Sequence, residues 1–441
     1  MIKTFTLKSY KSKSLSGNIT IPGDKSISIR AVIIASISYG NTKVYGLLES
    51  DDIKNTIYAL KFLGIEIRKT KEYFLVKGNG GVFSENEKDL YFGNSGTASR
   101  LMCGVLCSRD VNVVIKGDYS LSNRPMQRII DPLRKLGANL TSKSGNLPIS
   151  IKKTKNIAAN MVTSKLGSAQ VKSAVVLAAL NIRGKTTFKE FSPSRNHTEI
   201  MLNYFGANIK IKKFKNYNNI SVDGPCVLRA KEIIVPGDFS SAAFVIVATL
   251  ICSNSKVGIK NVGLNYFRVG LLEILKKMKA KIKVVKDYYL NGERVGDIEV
   301  ESSKLIGICD DGKMSTRLID EYPILFVAAS FAKGSTIFRG LKELKVKESN
   351  RLDAMSKALS ESGVKVEVKK NSIKIFGQKS HSGGTKINTF KDHRIAMAMI
   401  IFGLASKKPI KIDEMKMIYT SFPSFYNVLQ EIGAKVEKIP K

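Results

Sequence analysis

The chain has 441 residues, 43% of them apolar, which supports more than one buried core and, on length alone, roughly two to four domains. Its longest apolar stretches, Ala242 to Cys252 and Ile395 to Ala405, are shorter than the ~18 to 20 residues that span a bilayer, and no apolar signal region opens the chain, so a soluble cytoplasmic protein without a membrane partner is expected. A net charge of +35 raises the question of nucleic acid, but the lysines are scattered over every segment with no arginine-rich run or aromatic-basic stripe, so no nucleic-acid partner is expected.

In chain order, the first feature is Pro22-Gly23-Asp24-Lys25-Ser26, a turn that follows an alternating strand and opens an apolar helix through Ala31 to Ile37. Ser26 and Arg30, four apart, share the first turns of that helix, where free N–H groups, a hydroxyl and two cations suit a phosphate or carboxylate. An amphipathic run, Thr56 to Leu63, then ends in Leu63-Gly64-Ile65-Glu66-Ile67, which predicts a helix stopped at a glycine and turned into an alternating strand. Gly93-Asn94-Ser95-Gly96-Thr97-Ala98-Ser99-Arg100 lies between a strand over Leu90 to Phe92 and an apolar helix from Ala98 to Cys107. Two glycines let backbone N–H groups turn inward as an anion nest, and Thr97 is placed to cap the helix. In Ser122-Asn123-Arg124-Pro125-Met126 the proline steers Arg124 onto an extended segment. Ser168-Ala169-Gln170-Val171-Lys172-Ser173 starts an apolar helix through Leu180, with Ser168 an N-cap, a phosphate ligand or both, and Arg195 adds a cation just before another helix.

The second half opens on Val235-Pro236-Gly237-Asp238-Phe239-Ser240, the first motif again 214 residues on. This copy keeps the turn and the serine but has Phe239 for Lys25 and Phe244 for Arg30, so the fold needs the turn and not the cations. Lys25 and Arg30 are therefore assigned to a ligand. Ile319-Asp320-Glu321-Tyr322-Pro323 sets an acidic pair before a proline, which as structure alone would be a capped helix start. Val346-Lys347-Glu348-Ser349-Asn350-Arg351 places Lys347 and Arg351 at helical spacing around Glu348, and Lys391-Asp392-His393-Arg394 precedes the apolar helix Ile395 to Leu404. His393 has no second histidine at ligand spacing, and the five cysteines form no CxxC pair, so no metal site is expected. Cys103, Cys107, Cys226, Cys252 and Cys309 read as buried thiols of a reducing compartment.

The phrase at Gly64 returns at Gly137, Gly206, Lys279, Gly363 and Gly433, at spacings of 73, 69, 73, 84 and 70. The chain is therefore six copies of one αβ unit, and the duplicated Pro-Gly-Asp turn groups them three to each half. Such a period is too long for an ankyrin or leucine-rich solenoid, so two compact three-unit domains facing each other across a cleft are expected.

These motifs, in this order and over nearly the whole chain, resemble those of the enolpyruvyl transferases, in particular the 5-enolpyruvylshikimate-3-phosphate synthase family. The resemblance implies an α/β (α+β) fold, the two-domain inside-out α/β barrel of six βαβαββ repeats. One domain would span 22–234 and the other 1–21 plus 235–441. It implies transfer of the enolpyruvyl group of phosphoenolpyruvate to the 5-hydroxyl of shikimate 3-phosphate, through a tetrahedral adduct that expels phosphate, in aromatic amino-acid biosynthesis. Neither metal nor organic cofactor is implied, and a monomer is expected. Carried over residue by residue, Lys25, Ser26, Arg30, Ser168, Gln170, Arg195, Asp320 and Lys347 would hold shikimate 3-phosphate. Lys25, Gly96, Arg124, Gln170, Arg351 and Arg394 would hold phosphoenolpyruvate, and Lys25, Asp320 and Glu348 would move protons. Arginine forks suit such anions because they bind carboxylate and phosphate bidentately. Ligands from both halves would converge, so binding is expected to close the cleft by domain rotation.

Two departures from the family pattern stand out: Tyr419-Thr420-Ser421-Phe422-Pro423 lacks a lysine that some members carry there, and Ala169 replaces a common serine. With Arg124-Pro125-Met126 this is similar to the bacterial subgroup that includes glyphosate-tolerant enzymes, but Gly96 stands where the best-known tolerant forms have alanine, so tolerance is not predicted. The related UDP-N-acetylglucosamine enolpyruvyl transferases normally carry a cysteine on the loop that here runs from Lys116 to Asn123 without one.

Overall fold

A helix apolar on every side has no face to leave in water and must be buried. In the computed structural model, which describes residues 5–84, 88–165 and 167–440, six helices are built this way. They are Lys25–Ser36, Gly96–Leu106, Ala169–Ala179, Phe239–Ile251, Tyr322–Ser330 and His393–Gly403. Each repeat adds a second, outer helix: Asp51–Phe62, Gln127–Arg134, His197–Tyr204, Gly270–Lys277, Arg351–Glu361 and Phe425–Glu431.

The strands form six four-stranded sheets among the described residues. In each, one edge strand runs parallel to its neighbour and that neighbour is antiparallel to the next, as in Met161–Ser164 beside Gly184–Glu190 beside Asn218–Gly224. Two strands are exchanged. Ser16–Thr20 runs into the helix at Lys25 yet pairs with Lys256–Gly263, while Ile233–Ile234 runs into the helix at Phe239 yet pairs with Tyr39–Tyr45.

The chain accordingly divides into one unit of 1–22, 236–289 and 294–441 and another of 23–235 with 290–293, and each has its own apolar core. These are called the C-terminal and N-terminal units below. The crossings fall at the two Pro-Gly-Asp turns. A Cβ on Gly23 would lie 2.0 Å from the carbonyl oxygen of Gly46, so the turn admits only glycine there. Asp24 and Asp238 accept from the N–H groups of Ile27 and Ser240 at 2.9 and 2.8 Å and cap the helices that follow.

The repeated phrase ends every outer helix on a left-handed residue. Gly64, Gly137, Gly206, Gly363 and Gly433 have φ between 85° and 98°, and Lys279 takes the same place at φ 66°. The cysteines depart from expectation: Cys103, Cys107 and Cys252 are buried, but Cys226 is half-buried and Cys309 is exposed on a two-residue edge strand.

Two outcomes follow. Lys279→Gly relieves a left-handed lysine and should raise stability by about 0.5 to 1 kcal/mol, seen as a higher urea midpoint; a lower midpoint would show that the lysine is not strained there. Burial pushes the thiols of Cys103 and Cys252 up to about 12, so a maleimide should label Cys309 first and leave those two untouched until unfolding. Mass mapping that found Cys103 labelled in the folded protein would contradict this burial.

Candidate active site

The motif residues gather at the starts of the helices, where the first N–H groups have no partner within the helix. In the N-terminal unit, Ser168 caps its helix by accepting from Val171 N–H at 3.5 Å. Ser95, not Thr97, caps the helix at Gly96, accepting from Ala98 N–H at 3.3 Å. The Thr97 hydroxyl is free of that duty and accepts from Gln170 Nε2 at 2.9 Å.

Lys25 reaches Asp52 on the next helix at 3.1 Å. Arg30 is enclosed: Nε donates to Thr198 Oγ1 at 2.7 Å, Nη1 to the Ser26 carbonyl at 2.9 Å and Nη2 to Ser173 Oγ at 3.1 Å. Its burial pushes the guanidinium pKa down to about 10, against the pull of Glu199 and Asp24 and with added repulsion from Arg195. A second group surrounds Gly96. Arg124 Nη2 donates to Asn94 Oδ1, and Asn94 Nδ2 donates to Asp118 Oδ2 at 2.8 Å. Arg100 donates to Gln170 Oε1 and to the Pro125 carbonyl at 3.1 Å. A Cβ at Gly96 would lie 3.1 Å from Arg124 Nη1 and 3.7 Å from Arg100 Nη1, so two guanidiniums bound the space that the glycine leaves.

Beneath these residues lies a charged cluster that sequence reasoning did not single out. Lys172 Nζ is 2.8 Å from Glu199 and 3.4 Å from Glu190 and donates to the Ser194 carbonyl at 3.1 Å, with all three side chains 2% exposed. Burial raises the Glu190 carboxyl above its ordinary range, against the pull of Lys172. His197 Nδ1 meets Glu293 Oε1 at 2.6 Å. The one signal in the sequence was a lone lysine inside an apolar run.

In the C-terminal unit, Arg351 is the centre. Its guanidinium, 1% exposed, donates to Asp392 Oδ2 at 2.8 Å and Glu348 Oε2 at 2.6 Å and lies 3.5 Å from Asp320 Oδ1. Burial works against that charge, but Asp392, Glu348 and Asp320 more than offset it and hold the pKa above its usual value. Lys347 Nζ stands 3.9 Å from Asp320, and Arg394 Nη1 donates to the Asp320 carbonyl at 2.8 Å. Lys347 and Glu348 precede the helix, whose cap is Asn350, so they belong to a loop rather than to a charged helical face. The structure thus gathers Asp320, Lys347, Glu348, Arg351 and Arg394 into one group, with Asp392 and Glu321 as partners. The group can hold anions on its cations and present carboxylates beside them. Among the described residues, no three His, Cys, Asp or Glu side chains are placed to hold a metal ion.

The fold is that of the enolpyruvyl transferases. The chain superposes over its full length on the enolpyruvyl transferase NikO from Streptomyces tendae with a TM-score of 0.78 at 14% identity. The EPSP synthase of Acinetobacter baumannii is more similar, with a TM-score of 0.88 and 36% identity, covering 99% of this chain and 100% of that one. By sequence, 3-phosphoshikimate 1-carboxyvinyltransferase of Bartonella quintana is 43% identical over 99% of this chain and 100% of its own, and that of Acidiphilium cryptum 42% over 96% of each. The chain belongs to the EPSP synthase (3-phosphoshikimate 1-carboxyvinyltransferase) family, whose model matches residues 9–429. It is a transferase of the shikimate pathway.

Lys172→Met would strand two buried carboxylates and should cost about 3 to 5 kcal/mol. Glu190 has a folded pKa above its unfolded one, so its share of stability is present at low pH and lost as pH rises through the folded value. The deficit of the variant should therefore shrink as pH falls from 8 to 5, read by urea unfolding; a deficit independent of pH would mean that the carboxylates are not the cause.

Proposed function

We propose that both groups act on one pair of substrates, so that the ligands of the enolpyruvyl transfer are drawn from the two units. Lys25, Ser26, Arg30, Ser168, Gln170 and Arg195 hold shikimate 3-phosphate together with Asp320 and Lys347. Lys25, Gly96, Arg124, Gln170, Arg351 and Arg394 hold phosphoenolpyruvate. Two anions must be brought together, and the cations offset their repulsion.

In the addition step the 5-hydroxyl oxygen bonds to C2 of phosphoenolpyruvate, its proton passes to a base, and C3 receives a proton to become a methyl group. In the elimination step the C–O bond to phosphate breaks and C3 gives a proton back, which restores the double bond. Lys25, Asp320 and Glu348 are the groups that exchange these protons. The observation that carries this reading is the packing of Asp320, Glu348 and Lys347 around Arg351, which sets two carboxylates beside cations at a helix start. We further propose that the protein works as a cytoplasmic monomer with no nucleic-acid partner; among the described residues, no helix is long and apolar enough to cross a membrane.

The test is phosphate release from phosphoenolpyruvate with shikimate 3-phosphate or UDP-N-acetylglucosamine as acceptor, in the presence of a chelator. Release with shikimate 3-phosphate alone is expected, abolished by Lys25→Met and lowered about 10²- to 10⁴-fold by Glu348→Gln. Near-normal turnover in Glu348→Gln would remove Glu348 from the proton path.

A further inference from the structure

The second copy of the Pro-Gly-Asp motif has lost its cations but kept its serine, and the proposed function leaves that serine unused. Ser240 lies at the start of the inner helix Phe239–Ile251 and is 3% exposed. Its hydroxyl accepts from Arg268 Nη2 at 3.0 Å and donates to Glu321 Oε1 in a short hydrogen bond. Arg268 Nη2 also donates to Asp238 Oδ1 at 2.8 Å, so the guanidinium that holds the serine is itself tied to the helix cap. Glu321 is fully buried, and its Oε1 stands 3.8 Å from Arg394 Nη1, beyond hydrogen-bond reach. That same Nη1 donates to the Asp320 carbonyl at 2.8 Å.

A buried carboxylate beside a guanidinium closes on it unless something else holds the oxygen, because the charge-assisted pair is the stronger bond. Here the hydroxyl has hold of the oxygen. We propose that Ser240 is a positioning residue that tethers the Glu321 carboxylate short of contact with Arg394, and so leaves that guanidinium open to the carboxylate or phosphate of phosphoenolpyruvate. The inference rests on the assignment of Arg394 to that substrate. Glu321 then offsets the cost of burying the Arg394 charge without occupying its donors, and Ser240 fixes the balance between the two.

Removing the hydroxyl frees Glu321 to compete with substrate. Ser240→Ala should raise KM for phosphoenolpyruvate about tenfold, with kcat within about twofold and KM for shikimate 3-phosphate unchanged. The decisive variant is Ser240→Ala combined with Glu321→Gln, in which the competitor is no longer charged: KM for phosphoenolpyruvate should return to within about threefold of the parent value. A structural role for the serine would lower the unfolding temperature of both variants and leave KM alone, or leave KM raised in the double variant; either result overturns the tether. Arg394→Lys tests the assignment beneath it: if that change leaves KM for phosphoenolpyruvate unmoved, the assignment fails, whereas a raised KM there with an unmoved KM in Ser240→Ala sinks the tether alone.

Discussion

The inner helices of this fold are apolar on every side, and that burial leaves them one place where polar chemistry can be set: their ends. The first turn of a helix carries N–H groups with no internal partner and a partial positive charge. Lys25 and Ser26, Gly96 and Thr97, Gln170, and Arg394 all sit within the first two residues of an inner helix. The proposed substrate contacts thus fall where the backbone already favours an anion. The loops before the outer helices bring in others, with Arg195 before His197–Tyr204 and Lys347 and Glu348 before Arg351–Glu361.

Those positions concentrate charge where little water reaches, and the chain balances it locally. Arg351 is held by Asp392, Glu348 and Asp320, Lys172 by Glu190 and Glu199, and Arg268 by Asp238. Arg30 has hydroxyls and a carbonyl as its direct partners, and burial pushes its pKa down. Buried cations paired this way are fixed in place, and those proposed to meet substrate would need less ordering on binding. The same pairing means that one missing partner leaves a charge uncompensated.

Much of this was legible in the sequence, because local signals encode local structure. Six recurrences of one phrase became six left-handed helix ends, including Lys279, where the pattern held although the glycine did not. Replacement of Lys25 and Arg30 by Phe239 and Phe244 in the second copy marked the cations as dispensable for folding, and both phenylalanines lie in the apolar core. Errors arose where two neighbours had equal claims or where the partner is distant. Ser95 and Thr97 are both good caps, and only the backbone decides between them. Ser240 carried no legible role because its partners, Arg268 and Glu321, are 28 and 81 residues away. Cys309 was expected to be buried, but it is exposed on a two-residue edge strand, a placement that no local signal encodes.

The central claim is that helix starts from both units hold the same two substrates. A crystal structure of the protein with shikimate 3-phosphate and a phosphoenolpyruvate analogue tests it most directly. The account predicts the shikimate phosphate against Ser168 and Arg195, the ring against Lys25 and Asp320, and the analogue between Arg124 and Arg394. Density that touched one unit's residues and left the other's in their present hydrogen bonds would contradict it.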